Sequence, residues 1–300
     1  MSPSTQTVAG VEISKPDKVL FPDDGITKLD LARYYSDVAE HMLRHVRGRP
    51  VNMERFPNGI AEKGFYEKKR PSHFPAWFSS VTVQTSEGTQ EQVVIEDARS
   101  LVYLAQQACI SPHTWLSKAD ALDNPVEVVI DLDPTVPDLA AVRRAVRMTR
   151  DLLDELGLTP FLKTTGSRGY HVVVPLRPEA DYDSVREFAV GVATVLIDRD
   201  PGLFTLEHRK VDRGDRVYLD VWRNGYGQTA VPPYAVRPKP GAHVAVPLEW
   251  DELSRVEPAG FDLDGVRRRL NRRGDPWLNI RRRASGLRRP TERLRRLRHP

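Results

Sequence analysis

Residues 128–135 read VVIDLDPT: three β-branched residues run into two aspartates separated by one leucine, and a proline closes the run. β-branched residues favour a strand, and side chains two apart on a strand share a face. Asp131 and Asp133 therefore converge on one side, while Leu132 turns to the other, into the core. Two carboxylates held within a few ångströms repel each other, so such a pair shares a proton or binds a cation. Oxygen-only ligands favour hard ions, Mg²⁺ or Mn²⁺. An isolated D-x-D is more often a strand that frays into a polar turn, so the reading depends on what else the chain supplies.

It supplies a third acid. In RVYLDVWRN, residues 216–224, strand alternation places Tyr218, Asp220 and Trp222 on one face and Val217, Leu219 and Val221 on the other. A carboxylate in mid-strand is unfavourable unless exposed or paired. Beside Asp131 and Asp133 it completes a two-metal site, in which ions about 3.5–4 Å apart activate an attacking hydroxyl and stabilise a leaving pyrophosphate. A glycine loop, TTGSRGYH at 164–171, follows the D-x-D. Gly166 and Gly169 let the backbone approach an anion, and the hydroxyls and Arg168 offer donors. It is not a Walker loop, since G-x-x-x-x-G-K is missing. Alone, such a loop is more often a β-turn, and His171 more often a core or surface histidine.

Helical and strand patterns interleave along the chain. Residues 27–48 read as one helix, capped by Thr27 with Asp30, with Leu31, Tyr35, Val38, Met42 and Val46 on one face and Gly48 at its end. Short strands and Pro/Gly loops follow. The stretch DARSLVYLAQQACI is a second helix, the segment from Asp138 to Gly157 a third, and DSVREFAVGVATVLIDRDP a fourth. The class is mixed α/β, of α+β type. The order β-α-β…α…β in the second half predicts a ferredoxin-like module of the kind found in RNA-recognition-motif folds.

With 40% hydrophobic and 29% charged residues, the chain reads as soluble and globular. No apolar run approaches the roughly 20 residues that span a bilayer, and the N-terminus lacks a secretory pattern. The single cysteine, Cys109, excludes an internal disulfide and a cysteine-cluster zinc site. A cytoplasmic, nucleoid-associated protein is expected, with no membrane partner. Residues 267–300 hold fourteen arginines against Asp275 and Glu292, a net of +12, so the first 266 residues carry −8 of the overall +4. Such a tail is either a solvated end or a nucleic-acid contact.

D-L-D-P, then T-x-G-S-[KR]-G-x-H, then a strand with h-D-x-x-x-N resembles the archaeo-eukaryotic primase superfamily. More narrowly, it resembles the polymerase domain of bacterial ATP-dependent DNA ligase D. PDKVLFP, GFYEKK, AQQACISPHTW and PPYAVRPKPGAHVAVPLEWDEL agree, over roughly residues 11–285. The resemblance implies a primase-polymerase fold, with an RRM-like metal-binding module at about 121–250 packed on an N-terminal α/β module at about 11–120. Together these make a catalytic domain over 11–265. Residues 1–10 are expected to be disordered, and 266–300 to be an Arg-rich extension. No ligase lysine motif or nuclease domain accompanies the match, so a stand-alone polymerase is expected.

The resemblance also implies roles. Asp131, Asp133 and Asp220 would hold two Mn²⁺ or Mg²⁺ ions. Thr165, Arg168 and His171 would hold the incoming triphosphate, with threonine and arginine standing for the commoner serine and lysine. His113 and Arg237, and more weakly Arg213, match the nucleotide pocket. Lys18 and Lys28, assisted by Lys15, would hold the 5′-phosphate beyond a DNA gap. Phe65 and Tyr66 would stack against the DNA, a contact worth about 1–3 kcal/mol per base.

The expected activity is template-directed addition of NTP or dNTP to a primer 3′-hydroxyl at gaps or double-strand-break ends, in end joining or gap-filling repair. The expected partners are gapped or broken duplex DNA with a 5′-phosphate, an ATP-dependent DNA ligase and a Ku-like end-binding protein. The resemblance further implies a preference for ribonucleotides and Mn²⁺. A primase that starts chains de novo is the nearest alternative. A D-x-D sugar transferase leaves Asp220, the loop and the lysines unexplained. A non-catalytic end-binding module would not need all three acids.

Overall fold

The computed structural model describes residues 6–298. Its helices are α1 (Lys28–Asp37), α2 (Ala39–Val46), α3 (Ala98–Gln106), α4 (Leu139–Glu155), α5 (Tyr182–Arg199), α6 (Leu263–Arg273) and α7 (Arg288–Arg298). The chain falls into two compact units. Among the described residues, one comprises 6–120, 231–246 and 261–275, and the other 121–230, 247–260 and 276–298.

The first unit opens with a hairpin of β1 (Gln6–Val8) and β2 (Val11–Ile13). Residues 6–8, expected to be disordered, are thus paired, and residues 1–5 lie outside the described residues. Ala9 and Gly10 both take positive φ, the conformation of the tight hairpin turn that suits strand twist. Two further short strands, β3 (Val19–Phe21) and β4 (Ile26–Thr27), lead into α1. Thr27 accepts from the Asp30 amide and the Asp30 carboxylate accepts from the Thr27 amide, the expected box. The single helix expected over 27–48 is two, separated at Val38, yet Leu31, Tyr35, Val38, Met42 and Val46 are all buried as predicted.

The sheet of this unit places β9 (Cys109–Trp115) beside β5 (Arg49–Arg55). The far edge of β5 is shared by β8 (Gly88–Ile95), which carries β7 (Ser80–Thr85), and by β6 (Phe65–Glu67). Residues 231–246, expected in the second module, belong to this core instead. Tyr34 donates to the Tyr234 carbonyl at 2.9 Å, and the Tyr35 hydroxyl donates to the Ile110 carbonyl and accepts from the Val236 amide. Helix α6 returns here too, and the buried His45 Nε2 lies 2.7 Å from Asp275 Oδ2. The basic C-terminal stretch is therefore not one extension, because its apolar residues Val266, Leu270 and Trp277 are buried and each half packs on a unit.

The second unit is built on β10 (Glu127–Pro134), with β11 (Phe161–Thr164), β12 (Tyr170–Pro175), β13 (Phe204–Thr205), β14 (Val217–Asp220) and β15 (Pro247–Leu248). The spatial order is β13-β14-β10-β12-β11-β15, antiparallel except for β13 against β14. Its centre, β14-β10-β12-β11, with α4 after β10 and α5 after β12, is the expected ferredoxin-like arrangement. Asp138 caps α4, and Gly157, at φ +82°, follows its end. Val128, Ile130 and Leu132 of β10 are buried, as are Val142, Val146, Phe188 and Val192 on the helices α4 and α5 that contact it, so the other side of β10 is left to the aspartates.

Strand β14 stops at Asp220, and Trp222 lies in a short 3₁₀ turn, Trp222–Asn224, rather than on the strand face. Where β14 ends, the buried Asn224 side chain takes over its pairing. Asn224 Oδ1 accepts from the Val129 amide at 2.8 Å, and Nδ2 donates to the carbonyls of Val129 and Val221 at 2.7 and 2.8 Å. Asn224→Ala strands those backbone groups in the core and is expected to lower stability by about 2–4 kcal/mol. Urea unfolding should show this as a lower midpoint at unchanged slope.

Candidate active site

In the register of the second sheet, Asp131 stands directly opposite Asp220 on β14 and opposite His171 on β12, and His171 stands opposite Lys163 on β11. One row across four strands therefore reads Asp220, Asp131, His171, Lys163. Asp133, opposite Tyr218, lies one pleat further along the same face. The sequence pattern placed Asp131 with Asp133, and the register adds Asp220.

Each carboxylate has a cationic or imidazole neighbour. Arg223 Nε is 3.0 Å from Asp220 Oδ2, Arg168 Nη2 is 3.1 Å from Asp133 Oδ2, and His171 Nε2 is 3.4 Å from Asp131 Oδ2. Burial, reinforced by the Asp131 charge, raises Asp133 above the ordinary carboxylate range against the pull of Arg168. Burial raises Asp220 likewise, opposed by Arg223 and aided by Asp131. Burial and then Lys163 push His171 down to about 4, so its ring is neutral at neutral pH. His171 Nδ1 is buried with no hydrogen-bond partner.

These residues fit divalent ions. Three acids share one face, and burial makes their mutual repulsion expensive until a counter-charge arrives. As the side chains stand, no group of three or more His, Cys, Asp or Glu among the described residues is gathered at ligating distance. The carboxylates are turned to Arg168, His171 and Arg223 instead, the nearest positive or N–H groups.

The glycine loop joins β11 to β12, and Thr165 staples it. The Thr165 hydroxyl donates to the Gly169 carbonyl at 2.9 Å and accepts from the amides of Ser167 and Gly169. Thr165 thus shapes the loop, its hydroxyl proton already committed, while Arg168, half exposed, projects from it. Arg213, expected at the phosphates, is nearly buried. It donates to the carbonyls of Glu207 and His208 and stacks over Tyr218 at 3.7 Å, which fixes the 207–213 loop.

The remaining predicted residues lie in the first unit. His113 Nε2 is 3.2 Å from Glu54 Oε2, and the Tyr66 ring meets His113 edge-on at 5.6 Å. Burial would raise Glu54, but the hydrogen bond and charge of His113, with Arg237 and Tyr66, hold its carboxyl below the usual range. Arg237 Nε is buried without a partner. Phe65 and Tyr66 are both exposed, but as neighbours on β6 they project to opposite sides. Tyr66 approaches His113, and Phe65 lies under Arg55 at 5.6 Å.

Lys15, Lys18 and Lys28 are brought together by the turn at 15–18. The Lys18 carbonyl accepts from the Lys28 amide at 2.8 Å. Lys28 Nζ donates to Ser14 Oγ and Gln106 Oε1, and Lys18 Nζ to Asn58 Oδ1. Burial, then the charges of Lys18 and Lys15, lower the Lys28 pKa. The charges of Lys15 and Lys18 therefore act together on Lys28.

A family profile described as "LigD, primase-polymerase domain" matches residues 27–277. The chain belongs to the LigD primase-polymerase family. It is 36% identical over 277 residues to the Mycobacterium tuberculosis multifunctional non-homologous end joining DNA repair protein LigD, covering 88% of this chain and 36% of that protein. It is 32% identical over 274 residues to the Bacillus subtilis bifunctional non-homologous end joining protein LigD, covering 90% of this chain and 44% of that one. The chain thus spans less than half the length of these relatives. Among solved structures, the polymerase domain of M. tuberculosis ligase D in complex with DNA superposes with a TM-score of 0.86 at 34% identity, covering 91% of this chain and 99% of that one.

Three polar residues of this family member escaped the sequence reading. Arg223 follows Asp220 by three residues, one turn of the 3₁₀ segment, and reaches back to it. Lys163, 2% exposed, ends the row, and Glu54 orients His113. A charged residue within a strand that is otherwise apolar was the available signal for Lys163.

Gly169 explains why this LigD-type loop needs its second glycine. Its φ is ordinary, but a Cβ there would lie 2.0 Å from the Leu132 carbonyl oxygen and 3.3 Å from the Asp133 Cα. Backbone cannot step aside as a side chain does. Gly169→Ala is expected to cost on the order of 1–3 kcal/mol and to depress nucleotide addition by displacing Asp133. Thermal melting and gap-extension assays on the same preparation check both.

Proposed function

We propose that the chain is a template-directed nucleotidyltransferase that adds NTP or dNTP to a primer 3′-hydroxyl at gaps or double-strand-break ends, in non-homologous end joining or gap-filling repair. The observation that carries this reading is the row Asp220–Asp131–His171 with Asp133 beside it. Asp131, Asp133 and Asp220 would hold two hard ions, Mg²⁺ or Mn²⁺. When bound, such ions activate the hydroxyl and neutralise charge on the leaving pyrophosphate.

The residues of the chain do the positioning. Arg168 and Arg223, which stand beside Asp133 and Asp220, would offer forked donors to the triphosphate. Neutral His171 offers one ring N–H. His113, held by Glu54, and Arg237 serve the nucleotide likewise. Phosphoryl transfer needs little else, since positioning and charge stabilisation account for most of the catalysis. The sealed product calls for an ATP-dependent DNA ligase acting next, with a Ku-like end-binding protein as the recruiter.

Asp131→Ala or Asp220→Ala should reduce addition of a labelled triphosphate on the order of 1,000-fold, the several kcal/mol that metal-held charge stabilisation supplies. DNA binding should survive. Wild-type turnover in either variant would remove the metal assignment.

The lysine cluster reads as the holder of the 5′-phosphate across the gap, each contact worth roughly 1.5–3 kcal/mol when charge-assisted. The Lys18→Ala/Lys28→Ala variant should extend a simple primer-template but lose the preference for phosphorylated gaps. Lys28 must be protonated to hold a phosphate, and its pKa is lowered in the free protein. The preference is therefore full below that pKa and fades as pH rises through it. The ratio of fill-in on paired gaps with and without the 5′-phosphate, followed across alkaline pH, measures it. Equal discrimination by variant and parent would show that these lysines do not hold the 5′-phosphate.

A further inference from the structure

Nine arginines and one acid, Glu292, lie between Arg281 and Arg298, a net of +8. They are carried on a fixed surface. Helix α7 buries Pro290 and Leu294, and Leu287 just before it is buried as well. Leu294 fills the space left by Gly191 of α5, where a Cβ would lie 2.9 Å from its Cδ2. Arg293 Nη1 donates to the Leu156 carbonyl at 3.0 Å, closing the end of α4. With that face buried, helical periodicity sends Arg289 and Arg296 outward, about 10 Å apart along the axis.

Arg288 pairs with Glu292. Among the described residues, Arg282, Arg283, Arg289, Arg295, Arg296 and Arg298 have no carboxylate within 4.0 Å. Helix stability does not account for this composition. Arg288 and Arg289 sit in the first turn, where the helix dipole favours anions, and that turn has no acid. Self-repulsion among unpaired guanidiniums is relieved by an external polyanion. The choice of arginine throughout suits phosphate, which its fork meets with two donors.

The position of the patch separates it from the aspartates. They occupy one face of the second sheet, α4 and α5 cover the other, and α7 lies on α5. A sheet-to-helix step and a helix-to-helix step set the patch roughly 20 Å from the reacting phosphates.

We propose that α7 and the turn before it form a second contact surface for the backbone of duplex DNA, sequence-independent and separate from the catalytic face. This rests on the DNA-processing reading above and extends it: the chain holds a second stretch of duplex while the aspartate face works on the primer end.

The test uses the full chain and a blunt duplex of about 20 base pairs with hydroxyl ends and no gap, so that the lysine cluster has no terminal phosphate to read. The variant Arg289→Gln/Arg295→Gln/Arg296→Gln removes exposed side chains that make no ion pair. The slope of log affinity against log salt should shrink by about 2–3. Between about 50 and 200 mM salt, parent affinity should then fall on the order of 40-fold more than the variant's. The triple Arg→Lys variant should keep most of the parent slope, and extension of a gap at saturating DNA should be unchanged in both. A variant that melts like the parent and keeps the parent slope overturns the proposal. So does a variant that keeps the duplex slope but loses retention on polyglutamate, which would mark an acidic-protein surface. Nucleotide addition by the parent separates the two readings. A parent that extends gaps while the slope stays unchanged in the variant defeats this surface alone. A parent without activity, with a slope that falls, defeats the proposed function and leaves the surface standing.

Discussion

Three carboxylates on one face of a sheet, two of them directly opposite across a strand pair, are the constraint on which the second unit turns. Asp131 faces Asp220 with Asp133 a pleat away, and burial raises the cost of every uncompensated charge. The fold meets this with donors drawn from three places: Arg168 from the glycine loop, His171 from the neighbouring strand and Arg223 from the turn after β14. Two of these donors, Arg168 and Arg223, carry the forked guanidinium that meets phosphate with two hydrogen bonds.

Holding the acids in register falls to groups that do no chemistry. Val128, Ile130 and Leu132 anchor one face of β10 in the core, so the aspartates cannot slip to the other side without burying charge among helices. Asn224 continues the pairing where β14 stops. Gly169 lets the loop close against the Leu132 carbonyl, and Arg213 pins the segment leading into β14. The first unit follows the same logic in miniature. Tyr34 and Tyr35 tie the 231–246 segment into its core, and that segment carries Arg237 beside Glu54 and His113.

Much of this was legible in one dimension because it rests on local periodicity. Strand alternation put Asp131 with Asp133, the Thr27–Asp30 box began α1, Asp138 capped α4, and the βαββαβ order gave the ferredoxin-like sheet. Other features misled for local reasons. A polar start, TQTVAG, hid a hairpin because Ala9 and Gly10 supply its turn without a strong signal. Alternation carried Trp222 past the end of its strand, since nothing in the pattern marks where pairing partners run out. Phe65 and Tyr66 read as a pair, yet adjacent strand residues face apart.

The sequence by itself determined which residues are acids on strands, where helices start and stop, and that the charge gathers in the C-terminal stretch. Each of these follows from neighbours within a turn or a pleat. Only the tertiary structure decided that Asp220 stands opposite Asp131, that Lys28 bonds Ser14 and Gln106 within the field of Lys15 and Lys18, and that Arg213 holds a loop. It also decided that the basic stretch divides between two packed units. Strand register and long-range burial are set by which apolar faces meet, a property of the whole chain that no short window of residues contains.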